Sequence, residues 1–189
     1  MRRGRIWLIS GIPGAGKTTV ARALCAHYAK CIHIPVDDLR ELVVSGHASP
    51  LEWTEETTRQ FALARASAAR MAADYSDAGF AVVIDDVVRE EDLDQFTRHL
   101  ASKPLTKVAL IPSLDVALAR NRDRTGKAFD TRVLEGVVRR LHRSLVESCL
   151  PVAGWVAVDT SDMDVRTTVT EILRRAGDAR LESIRLEEP

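Results

Sequence analysis

Five short hydrophobic runs punctuate the chain, at residues 5–10, 31–35, 80–85, 107–111 and 155–159. Each is nearly continuous rather than alternating, as in Ile6-Trp7-Leu8-Ile9 and Val82-Val83-Ile84, the pattern of a strand covered on both faces of a parallel sheet. Between the runs, apolar positions recur at helical spacing over residues 19–28, 38–45, 55–77, 90–102, 113–124, 131–148 and 162–176. Strands alternating with helices predict a doubly wound α/β domain around a parallel five-stranded sheet. In such a sheet ligands sit beyond the carboxyl ends of the strands, so the strand ends are where chemistry is to be sought. A chain of 189 residues is long enough to bury one sizeable core, and no repeat, low-complexity tract or linker divides it.

Between the second and third runs the pattern is least regular. Ser49-Pro50-Leu51-Glu52 has the form of a capping box with proline at the first helical position, and Thr54 offers a second start. The alanine-rich helix over 55–77 is closed by Gly79. Residues 46–58 are then either a flap over a substrate pocket or an ordinary connection. The charged tail 177–189 is expected to fray.

The first run leads into Gly11-Ile12-Pro13-Gly14-Ala15-Gly16-Lys17-Thr18-Thr19, which satisfies G-x-x-x-x-G-K-[ST] in the required strand–loop–helix setting. Glycines permit backbone shapes that turn consecutive N–H groups inward as an anion nest, and the following helix adds the positive end of its dipole. Lys17 is placed to reach the β- and γ-phosphates of ATP, and the Thr18 hydroxyl to ligate Mg²⁺.

Three other strand ends carry chemistry. Asp37-Asp38-Leu39-Arg40 follows the second run; Asp37 and Arg40 share a helical face, so one can accept a proton from a hydroxyl while the other holds a phosphate oxygen. The alternative is that an aspartate only caps the helix. The third run ends in Asp85-Asp86, acids placed to hold Mg²⁺ opposite Thr18, to contact substrate, or to cap the next turn. After the fourth run, Arg120 and Arg124 lie four apart before Gly126, either as a lid over about 120–131 that closes on the nucleotide or as a solvated charged face.

Composition narrows the partners. There are 27 basic and 27 acidic residues, a net charge of zero that argues against a broad nucleic-acid footprint, although a local patch remains compatible with it. Cys25, Cys31 and Cys149 are odd in number and lack paired spacing, so they read as reduced thiols of a cytoplasmic protein. The histidines, His33 among them, show no metal-ligand spacing and read as structural. No apolar segment is long enough for a signal peptide or a membrane span.

The phosphate loop, Asp37-Asp38-Leu39-Arg40, the Asp85 strand end and Ala119-Arg120-Asn121-Arg122-Asp123-Arg124-Thr125-Gly126-Lys127-Ala128 together resemble the polynucleotide 5′-hydroxyl kinase branch of the small P-loop kinases, over roughly residues 5–173. The resemblance implies that Asp37 is the general base, that Arg40 binds phosphate, that Arg124 steadies the transferred group with Arg120 in support, and that Asp85 lies beside the substrate hydroxyl. The chain departs from that branch at Phe129-Asp130-Thr131, where a proline is usual, and at Asp86, where a hydroxyl residue is common. Both positions bear on the acceptor.

The expectation is therefore an ATP- and Mg²⁺-dependent phosphotransferase acting on an alcohol. The leading acceptor is a polynucleotide 5′-hydroxyl. The alternatives are a small-molecule hydroxyl of an antibiotic, nucleoside or sugar and, in another class, a nucleotide-switch ATPase that transfers nothing.

Overall fold

The computed structural model describes residues 3–100, 102–123, 135–149 and 151–177. Its strands β1 (Ile6–Ser10), β2 (Cys31–Pro35), β3 (Ala81–Asp86), β4 (Leu105–Leu110) and β5 (Trp155–Val158) form one parallel sheet in the order β2-β3-β1-β4-β5. All five predicted runs are strands. The 107–111 run begins two residues earlier than its hydrophobicity suggests, because Leu105 and Thr106 pair with Ile6 and Trp7 of the central strand.

The helices are α1 (Lys17–Cys25), α2 (Val36–Glu41), α3 (Glu55–Asp77), α4 (Asp94–Thr97), α5 (Leu114–Arg122), α6 (Glu135–Ser148) and α7 (Val165–Arg175). Two expectations are corrected. Ser49 starts no helix: Thr54 is the cap of α3, its hydroxyl accepting from Thr57 N while Thr57 Oγ1 receives Thr54 N. Thr57 Oγ1 also bonds the carbonyls of Ser49 and Glu52, holding the preceding segment in an irregular path. The 90–102 helix shrinks to α4, preceded by a 3₁₀ turn at Glu90–Asp92. There Arg89 grips Asp92 at 3.0 Å, and the Glu90 carboxylate accepts from Trp155 Nε1 at 2.5 Å and Lys107 Nζ at 3.0 Å. These contacts override the helical spacing.

Right-handed crossovers put α1, with α7 against it, on one face of the sheet and α3 with α4 on the other. Successive side chains of a strand point to opposite faces. Cys31, His33 and Asp85 therefore share the α1 face, where Cys31 Sγ lies 2.8 Å from Cys25 Sγ of α1. Asp86 points to the α3 face, where Arg65 of α3 meets it. The pairing of two thiols from the end of α1 and the start of β2 is invisible in the spacing of the cysteines. The core between the layers is built on Trp7, Leu8, Ile9, Val83 and Ile84, all fully buried, and α3 approaches it closely through Ala68, Ala69 and Ala72. No described helix is long and apolar enough to cross a membrane.

Candidate active site

Connections leave β1 and β3 toward opposite edges of the sheet, so the crevice beyond these two neighbours is the switch point where a ligand is expected. Its walls combine sequence-predicted residues with others that the sequence did not mark.

One wall is the phosphate loop. Gly14 and Gly16 lie at φ of 86° and 89°, the left-handed region that strains other residues. A side chain at Gly14 would stand 2.2 Å from the Ala117 carbonyl of α5, so the loop is seated directly on that helix. Gly11 lies where β1 enters the loop, and beyond Pro13 the buried Ala15 turns back through its N–H to the Ile12 carbonyl at 3.0 Å. Gly16 caps α1, and Lys17 Nζ donates to the Gly11 carbonyl at 2.8 Å. Gly14, Gly16, Lys17, Thr18, Thr19 and Arg120 line a cleft of about 270 Å³. Arg120 reaches it from the end of α5, anchored by the Thr160 carbonyl at 3.1 Å. The positive-φ glycines, a helix amino end, a lysine and an arginine suit a polyphosphate, and the Thr18 hydroxyl in the same cleft suits a divalent cation.

The other wall begins at the ends of β2 and β3. Asp37 and Asp38 are exposed in the first turn of α2. Neither is its N-cap, a position occupied by Pro35 without a side-chain bond, so the capping alternative does not describe this helix start. Asp85 and Asp86, equivalent in the sequence, are separated by the pleat. Asp85 Oδ2 pairs with His33 Nε2 at 2.5 Å on the α1 face, the face that also carries Thr18. Asp86 is buried against Arg65, with Oδ2 2.6 Å from Arg65 Nε and Oδ1 accepting Val87 N at 2.7 Å. Burial pushes the Asp86 carboxyl up from the ordinary aspartate range, and the Arg65 guanidinium pulls against it. Ser10 fastens the two strand ends together: its hydroxyl donates to Val88 O at 2.6 Å and accepts Val88 N at 2.9 Å.

Arg40 lies inside the wall. It is 5% exposed, donates to the Ala48 carbonyl at 2.9 Å, and stacks over the Phe61 ring at 3.8 Å. Burial lowers its pKa, opposed first by Asp37 and then by Asp86, so the three charges are neighbours. Gln60 continues the hold on the 46–48 segment, accepting Ala48 N at 2.9 Å and donating to Gly46 O at 2.8 Å.

Arg124, the lid from 124 to 131 and the tail beyond Gly177 lie outside the described residues. Among the described residues no group of three or more metal-ligating His, Cys, Asp or Glu side chains occurs. Three residues that build these walls escaped sequence reasoning. His33 carried a usable signal, since it sits two strand positions before Pro35, the partner of Asp85, and so shares that residue's face. Arg65 and Phe61 carried none, because only the packing of α3 brings them to this edge.

The chain matches the AAA domain family over residues 6–147. It is 30% identical over 186 residues to a cytidylate kinase of Methanococcoides burtonii, covering 90% of this chain and 95% of the relative. Its fold is similar to that of a sugar kinase from Janibacter sp. HTCC2649, with a TM-score of 0.68 at 17% identity over 94% of this chain and 96% of the other. It is also similar to a gluconokinase from Sinorhizobium meliloti 1021, with a TM-score of 0.64 at 18% identity over 100% of both chains.

Proposed function

Because the chain belongs to the AAA domain family and is a small P-loop kinase, we propose that it transfers the γ-phosphoryl group of ATP to the hydroxyl of a small-molecule alcohol, with Asp37 as the base. The observation that carries this reading is the exposure of the Asp37 carboxylate at the sheet edge that holds the phosphate loop, while the adjacent Asp85 and Asp86 are engaged by His33 and Arg65. Asp37 and Asp38 are thus the acids open to a hydroxyl proton, and of the two Asp37 is the neighbour of Arg40. The hydroxyl oxygen forms the new bond to phosphorus, the bond from the β–γ bridging oxygen breaks, and ADP leaves.

The loop amides, Lys17 and Arg120 hold the phosphates and offset the charge that develops on them. Mg²⁺, when bound, would neutralise phosphate oxygens; Thr18 and Asp85 are the residues that would hold it. Arg124 is assigned the lid contact on the transferred group. Arg40 positions the 46–48 segment around the acceptor through its bond to the Ala48 carbonyl.

The small-molecule acceptor is preferred to the polynucleotide end. A phosphodiester backbone needs a basic track, and Arg40 and Arg65, the described arginines beside Asp37 and Asp86, are buried and engaged. A second reading, with a nucleoside monophosphate as acceptor, is favoured by the likeness to cytidylate kinase.

The test is transfer of labelled phosphate from ATP to a panel of nucleosides, nucleoside monophosphates, sugars and a 5′-hydroxyl oligonucleotide, by the parent and by Asp37→Asn. The variant is expected to lose about 10²- to 10⁴-fold in kcat while binding ATP as before. Transfer by Asp37→Asn at the parent rate would remove Asp37 as base. Transfer to the oligonucleotide alone would restore the polynucleotide acceptor.

A further inference from the structure

The three cysteines lie in two different settings. Cys149 is 1% exposed, with its thiol turned to the Val88 carbonyl, and burial pushes that thiol up to about 12. Cys25 and Cys31 are half-buried and face each other: Cys25 ends α1, Cys31 begins β2, and their sulfurs lie 2.8 Å apart. The Cys31 thiol donates to Cys25 Sγ, which draws the Cys25 thiol below its ordinary value and raises that of Cys31. One sulfur is thereby prepared as a nucleophile, and its neighbour stands within reach of whatever that sulfur binds.

The connection between the two elements holds this arrangement. It is five residues long, Ala26 to Lys30, and it turns directly off the helix: His27 N donates to the Leu24 carbonyl at 3.2 Å and Tyr28 N to the Cys25 carbonyl at 3.1 Å. The Tyr28 hydroxyl accepts from Trp7 Nε1 of the central strand at 2.6 Å, which pins the middle of the turn to the buried sheet. β2 is an edge strand, and Ala26, His27, Ala29 and Lys30 are exposed, so the pair lies at the rim of the fold. Between Gly11 and Val36 the chain carries Lys17, Arg22 and Lys30 and no acid. A basic stretch favours a thiolate and attracts an anionic oxidant.

We propose that Cys25 and Cys31 are a redox pair, which closes an intramolecular disulfide on exposure to a low-molecular-weight disulfide such as oxidised glutathione. The Cys25 thiolate attacks one sulfur of the oxidant, forming a mixed disulfide and releasing one glutathione thiolate. The Cys31 thiol then gives its proton to solvent, and its sulfur attacks Cys25 Sγ and expels the second glutathione thiolate. The two cysteines lose two electrons, and the oxidant, cleaved to two thiols, gains them. In a reducing compartment such a bond is transient. Because α1 is nine residues long, the bond forms about 12 Å along the helix from Lys17. It ties α1 to the edge strand without entering the phosphate cleft, and the loop it closes restricts the unfolded chain. Oxidation therefore stabilises the fold and leaves nucleotide binding as it was.

Two measurements test the pair. The folded full chain is incubated with oxidised glutathione, alkylated in urea and cut with trypsin, which cleaves after Lys30 and so separates the two cysteines. The parent is expected to yield Ala23–Lys30 joined to Cys31–Arg40, with Cys149 recovered alkylated. Cys31→Ser should stop at glutathione bound to Cys25, the arrested first step. Absence of the joined peptides, or their appearance only when the chain is first unfolded, would overturn the proposal.

Thermal unfolding and ADP titration read the consequence. The oxidised parent is expected to melt about 3–8 °C above the reduced chain, with the gap reversed by dithiothreitol and absent in Cys31→Ser. ADP affinity should stay within about twofold. A fall in melting temperature on oxidation, or loss of ADP binding, would overturn the assignment of a stabilising bond away from the cleft. Neither the peptide map nor the melting curve involves phosphate transfer, so the pair and the kinase reading fail separately.

Discussion

The two walls of the cleft are made in different ways. On the donor side the geometry belongs to the backbone: two glycines at positive φ, a helix that begins where the loop ends, and side chains that follow within three residues. On the side we propose for the acceptor the geometry belongs to pairs drawn from distant parts of the chain, His33 with Asp85 and Arg65 with Asp86, and Arg40 stacked on Phe61. A wall written in consecutive residues keeps its chemistry whenever the local turn forms. A wall written in long-range pairs depends on the packing of α3, so its charges serve the fold and the site together. Substitutions on the two sides should therefore fail differently.

The sharpest test is Arg65→Ala. It strips the buried Asp86 of its partner, and leaving one charge of a buried pair costs about 3–5 kcal/mol. Urea unfolding should show a loss of that size, and adding Asp86→Asn should recover part of it. If Arg65→Ala unfolds like the parent, the acceptor wall does not carry stability and the contrast fails.

Lys17→Ala is the donor-side counterpart. It removes a charge that bonds to its own loop at the Gly11 and Ile12 carbonyls, and stability should change by less than about 1 kcal/mol. Transfer should fall about 10²- to 10³-fold through the lost stabilisation of phosphate charge. Thermal unfolding and labelled-phosphate transfer on the same preparation separate the two effects.

The smallest effect lies outside both walls. Glu171 on α7 is gripped by Arg174 at 2.7 Å and Arg175 at 2.6 Å, and these hydrogen bonds hold its carboxyl down from 4.5 to about 2. A depressed carboxyl stabilises the fold fully above pH 4.5, and the contribution is lost as pH falls toward about 2. Because the group is near the surface, Glu171→Gln should cost less than about 1 kcal/mol at neutral pH. The difference in melting temperature between parent and variant should close on acidification, whereas a gap that persisted at low pH would assign the effect to packing.

The sequence by itself determined the sheet, its strand ends and the donor wall. Continuous apolar runs require a sheet covered on both faces, and a glycine-lysine-threonine loop between strand and helix carries its function in adjacent backbone groups. It also brought Asp37, Asp85 and Asp86 to the carboxyl edge, since order along the chain decides which end of a parallel strand is the carboxyl end. Only the tertiary structure decided what those acids do there. The pleat sends Asp85 to the α1 face and Asp86 to the α3 face, and partners 52 and 21 residues away then engage each carboxylate. It likewise drew Arg40 under Phe61 and replaced the 90–102 helix with a turn held by Trp155 and Lys107. Local periodicity records which residues turn inward, but a pairing between remote side chains exists only once helices and strands have packed, and the acceptor wall consists of such pairings.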